Sequence, residues 1–200
     1  ELNNNSEAII FLERLEKSAE ADENLIYSVS NLMRIYYESK DYDKAITYGD
    51  KLISLKNIND KVKTDANLFI ARSSVNLGDK NRALDAYIKL ENDSNREFAV
   101  EALYYKALHY FDKKDYLNSN LVIEKISNEF SVYKKWTGKS LLLMSKNFYQ
   151  LGDAFQASYI LESVIENFEQ MPTIVDEAKK NLLRIKQIES EKNSSVEIIN

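Results

Sequence analysis

Two hundred residues with 44% hydrophobic content can bury a substantial core in one or two domains. The chain has no cysteine, which excludes disulfides, thiolate catalysis and cysteine-bearing zinc sites. Its formal net charge of −5 opposes nucleic-acid binding, which needs a basic surface to release counterions from phosphate. No apolar run reaches the roughly 20 residues that cross a bilayer, so no membrane insertion of this segment is expected.

Four glycines and one proline, with Lys, Glu, Leu, Ile and Ala abundant, predict an all-α chain. Taken in order, a lone helix over 6–19 comes first, as a partial repeat. Helix pairs follow at 23–39 with 42–56, 60–77 with 80–92, 96–113 with 116–130, and 134–151 with 154–169. A closing helix runs from Pro172 to Lys192, with Pro172 in the first turn, where its missing N–H costs nothing. The tail NSSVEIIN is expected to fray. The whole of 1–200 reads as one domain, and the unpaired first helix implies further chain before residue 1.

The pairing comes from a recurrence. YYESKDYDKA at 36–45 is echoed by SVNLGDKNRA at 74–83, YFDKKDYLNS at 110–119 and FYQLGDAFQA at 148–157. Each copy ends in a small residue, Ala45, Ala83, Ser119 or Ala157, and Ala8 heads a partial copy. The interval is 36 to 38 residues, a solenoid period. Four residues before each of the four later anchors stands Asp41, Asp79, Asp115 or Asp153, suited to cap a helix N-terminus. Lys40, Gly78, Lys114 and Gly152 precede them, where a left-handed helix stop is needed. Four and seven residues after the anchors are apolar positions on the same helical face, with Gly49 as an exception expected to leave a bulky site empty. Upstream, Met33, Ala71, Ala107 and Ser145 are each followed three residues later by Tyr36, Ser74, Tyr110 or Phe148.

This order of small residue, aromatic, Gly-Asp or Lys-Asp turn and small anchor resembles the tetratricopeptide repeat (TPR) family. The resemblance implies a right-handed α-solenoid of helix–turn–helix repeats with a C-terminal capping helix. It also implies a concave groove lined by the first helix of each pair, binding a peptide or protein segment. The groove residues carried over are Tyr27, Arg34 and Tyr37; Arg72; Tyr104, Leu108 and Phe111; and Lys146 and Tyr149. They form a basic row (Arg34, Arg72, Lys146) beside an aromatic row (Tyr37, Phe111, Tyr149), the residue types favoured at binding hot spots. The alternative is that some of these rings pack beneath a neighbouring repeat. The period and the aromatic ends of the repeats are similar to bacterial cell-envelope TPR proteins. That likeness implies an assembly role in the periplasm or envelope, with the cytoplasm as the alternative location.

No catalytic constellation is legible. His109 is the only histidine and has neither Cys nor a second His to join it, and no phosphate-binding loop or nucleophile elbow occurs. The reading is therefore a non-enzyme with no cofactor and no metal. Two alternatives stand beside groove binding: a structural module that self-associates into a homo-oligomer, and a regulatory domain of a longer enzyme.

Overall fold

Helix starts and stops in this chain are set by one turn design used four times. The computed structural model describes residues 2–197, which form ten helices and, among the described residues, no strand. They are α1 (Leu2–Ser18), α2 (Asp22–Glu38), α3 (Tyr42–Ser54), α4 (Asp60–Leu77), α5 (Lys80–Ile88), α6 (Arg96–Asp112), α7 (Tyr116–Glu129), α8 (Lys134–Gln150), α9 (Ala154–Asn167) and α10 (Pro172–Glu197).

In each turn, the backbone N–H of the Asp reaches back 2.9 Å to a carbonyl five residues earlier: Asp41 to Tyr36, Asp79 to Ser74, Asp115 to Tyr110 and Asp153 to Phe148. The preceding N–H, from Lys40, Gly78, Lys114 or Gly152, bonds three residues back at 3.0, 3.1, 2.9 and 3.1 Å. This is a Schellman closure, and it places those four residues at φ of 64, 79, 61 and 88°. Only the glycines adopt that conformation without strain. Each Asp carboxylate then accepts the N–H three residues on, at 3.3, 3.0, 3.3 and 2.8 Å, and so starts the next helix. One short segment thus stops one helix and begins its partner.

Three boundaries differ from expectation by more than two residues. α1 begins at Leu2, with no Pro or Gly to delay it. α5 ends at Ile88 instead of 92, because Leu90 and Asp93 bond three residues back, to Tyr87 and Leu90, in turns rather than helix. α10 continues to Glu197 where fraying was expected from 193, since nothing between Lys192 and Glu197 breaks a helix; the last three residues lie outside the described part.

The chain divides into two compact units, residues 1–102 and 103–200, with the boundary inside α6. In the first unit each helix from α1 to α5 packs on the next, and α2 also meets α4. One core cluster joins Leu12, Leu32, Tyr36 and Ala45; a second joins Val29, Met33, Leu52 and Ala66. Tyr36 stacks on Tyr48 at 5.4 Å and donates its hydroxyl to Glu13 Oε1 at 3.3 Å. The site expected to stand empty at Gly49 is filled: a Cβ added there would lie 2.7 Å from Ile70 Cγ1. Glycine at 49 is what lets α4 bring Ile70 against α3.

In the second unit α7 to α10 pack in sequence and α8 also touches α10. The small positions meet as their spacing requires. Ser119 Oγ donates to the Ala107 carbonyl and Ser145 Oγ to the Ala157 carbonyl, both at 2.9 Å. Buried Asn147 donates to Ser119 Oγ and Asn120 Oδ1 at 2.9 and 2.7 Å, tying α8 to α7. Ile123, Leu161 and Val164 are fully buried, each adding about 2 kcal/mol of hydrophobic stabilisation. Ile174, Ala178 and Ile185 of α10 cover the end of this core, and Gly138 admits Ile174 to α8.

Candidate peptide-binding faces

Only part of the sequence-selected set comes together, as one small cluster in each unit, and the two differ in character. In the first unit, Tyr37 of α2 meets Phe69 of α4 edge-on, ring centroids 4.9 Å apart, and Arg34 sits 5.8 Å from the same ring. Both geometries are favourable for an aromatic quadrupole. Arg34 is exposed and, among the described residues, has no carboxylate partner. Tyr27 is exposed on the same helix.

Arg72 is committed elsewhere. Its Nε and NH2 donate to the two carboxylate oxygens of Glu101 at 2.8 and 2.6 Å, and the Tyr87 hydroxyl donates to Glu101 Oε1 at 2.8 Å. The Arg72 head is thus no free member of a basic row. Its side chain fastens α4 to the start of α6, and the bonds to Glu101 hold the guanidinium above its ordinary pKa despite partial burial. Tyr37 has its phenol pushed up chiefly by desolvation, against the lowering effect of Arg72.

In the second unit, Tyr104 and Leu108 behave as packing residues. Tyr104 lies 5.4 Å from Trp136, with Lys139 over both rings, and Leu108 packs on the cluster of Ala107, Ile123 and Leu143. Burial, aided by the neighbouring Tyr105 and Glu177, pushes the Tyr104 phenol up to about 12.

Phe111, Lys146 and Tyr149 do come together. They line a cleft of about 230 Å³ whose other wall is α10, contributing Asn181, Arg184, Ile185 and Ile188. Lys146 Nζ bonds Glu177 Oε1 at 2.9 Å, with both side chains nearly half exposed. Lys192 stands 5.8 Å from the Tyr149 ring. The Asn181 amide nitrogen is shut off from solvent and, among the described residues, has no acceptor.

None of these α10 residues was anticipated as part of a site. The spacing 181, 184, 185, 188 puts them on one helical stripe, which was the available signal. Phe69, one turn before Arg72, was also missed.

Large apolar residues are exposed elsewhere. Leu117 and Leu121 of α7 and Phe155 and Tyr159 of α9 flank their anchors by two residues on the outer side, each more than 60% exposed. On α1, Ile10 and Phe11 are exposed, while Leu12 is in the core.

His109 is half-buried near the end of α6. Among the described residues no group of three His, Asp or Glu is placed to hold a metal ion, and no helix is long and apolar enough to cross a membrane. No protein-family model matches the chain, and no curated protein matches it.

Proposed function

We propose that this chain is a non-catalytic interaction module, built of helix pairs that repeat in the manner of a TPR-like solenoid, and that it binds a peptide segment of a protein partner on its first-helix faces. One observation carries the reading. Phe111, Lys146 and Tyr149, drawn from the first helices of two consecutive pairs, line a single cleft with the closing helix. A concave surface mixing aromatic, aliphatic and cationic groups is what a peptide side chain and its backbone can enter. Arg34, Tyr37 and Phe69 supply a second aromatic and cationic face in the first unit.

The test is panning of a displayed peptide library against the whole chain, followed by titration of the selected peptides. Lys146→Glu with Tyr149→Ala, or Arg34→Glu with Tyr37→Ala, is expected to weaken binding at least about tenfold, equivalent to 1.4 kcal/mol. Peptides whose affinity ignores both double variants would overturn the reading.

Self-association is favoured by a different observation, the outward apolar faces of α7 and α9. A concentration-dependent sedimentation coefficient that Leu121→Glu with Phe155→Glu abolishes would establish it; a monomer at all concentrations would dismiss it.

A further inference from the structure

We propose that the cleft between α6, α8 and α10 recognises a peptide segment in which a carboxylate lies beside a large apolar side chain. This rests on the peptide-binding reading and gives it a chemical class.

Charge supplies the first argument. The chain is net acidic, with 32 Asp and Glu against 27 Lys and Arg, yet among the described residues no Asp or Glu lines this cleft, while Lys146 and Arg184 do. Arg184 is exposed and has no ion-pair partner among the described residues. Among the described residues Lys146 is held only by Glu177, and a pair so exposed to water is held weakly. An incoming carboxylate can replace Glu177 at Lys146 while taking the planar fork of Arg184 in a two-bond contact.

The second argument is an unmet need. The Asn181 amide nitrogen on the cleft wall has no acceptor among the described residues. With the Asn181 amide turned toward the cleft, a carboxylate has acceptor positions for this donor as well as for the two cations. Asn181 and Arg184 are three residues apart, so they present their donors from one side of α10.

Size and polarity supply the third. Phe111, Tyr149, Ile185 and Ile188 make most of the remaining wall. A space of about 230 Å³ between them suits one large apolar side chain, with the charged group at the rim. A free inorganic anion would leave that apolar surface unused. An uncharged apolar peptide would leave Asn181 and Arg184 unanswered.

The experiment is fluorescence anisotropy of the full chain with three labelled hexapeptides. One alternates aspartate with leucine, one has asparagine for each aspartate, and one has serine for each leucine. The first is expected to bind at least about tenfold more tightly than either of the others. Arg184→Glu and Asn181→Leu should each weaken it by about tenfold or more, with far-ultraviolet circular dichroism confirming the fold. Lys179→Glu makes the same charge change on the far side of α10 and is expected to leave affinity within about twofold. Equal binding of the aspartate and asparagine peptides would overturn the proposal. So would an effect of Lys179→Glu matching that of Arg184→Glu, or absence of binding by the first peptide. If panned peptides still depend on Tyr149 while showing no preference for carboxylate, this proposal falls and the peptide-binding reading stands. If no peptide depends on any first-helix residue, both fall.

Discussion

Replacing Arg72 by Met should destabilise the protein by about 2–4 kcal/mol, because it strands a carboxylate that cannot reach water. The Glu101 side chain is 4% exposed and that of Arg72 34%. Removing one partner of a buried pair costs about 3–5 kcal/mol; the partial exposure of Arg72 and the surviving Tyr87 bond bring the figure down. Glu101→Met acts differently. The freed guanidinium can turn to water, but the fully buried Tyr87 hydroxyl loses its acceptor, at about 1–3 kcal/mol. In the double variant that hydroxyl has likewise lost only Glu101, so it should be scarcely worse than Glu101→Met alone. A double-mutant cycle should therefore give a coupling of at least about 1.5 kcal/mol. Urea unfolding followed by circular dichroism measures it; with a slope of about 2 kcal/mol/M, Arg72→Met lowers the midpoint by about 1–2 M. Single effects that add to within about 0.5 kcal/mol would show that the two side chains are not joined as described.

Three further outcomes follow from packing and backbone geometry. Gly49→Ala should cost about 1–2 kcal/mol, overpacking against Ile70 outweighing the helix-propensity gain, and Ile70→Val should be less harmful in that background than in the parent; equal effects in both would refute the contact. Lys114→Gly relieves a φ of 61° and should stabilise by about 0.5–1 kcal/mol, whereas Gly152→Ala, at 88°, should destabilise by a similar amount; thermal melts of both decide it. Because the Tyr104 phenol is raised from 10.0 to about 12, its contribution to stability is complete below pH 10 and is lost as pH climbs to about 12. Tyr104→Phe should flatten the fall of stability across that window, and an unchanged alkaline profile, with tyrosinate absorbance as the monitor, would refute the assignment.

What could be read from the sequence was what the chain decides locally. Asp41, Asp79, Asp115 and Asp153 were legible as caps because each bonds a backbone N–H three residues away. The small anchors were legible because repetition exposed their period. The fate of Arg72 was not, since its carboxylate lies 29 residues on, and nothing near either residue signals the pair. Gly49 looked like a gap because the side chain that fills it belongs to the next helix. At the candidate cleft, Phe111, Lys146 and Tyr149 were found by repeat position, whereas Asn181 and Arg184 lie on a closing helix that has no counterpart to compare with. For Tyr104 and Leu108, face assignment alone could not tell a side chain turned to a groove from one packed on Trp136 or on the Ile123 and Leu143 cluster.

The four-times-repeated joint also bears on how the chain reaches its fold. Its closing bonds span three to five residues and each cap spans three, so little loop entropy is spent before a pair of helices can meet. Structures rich in such short-range contacts fold quickly, and each hairpin of helices can bury its small anchor as soon as its own residues have left the ribosome. The Arg72 to Glu101 clasp must wait for a later stretch of chain, so in a nascent chain it closes last in the first unit, locking a packing that local turns have already laid down.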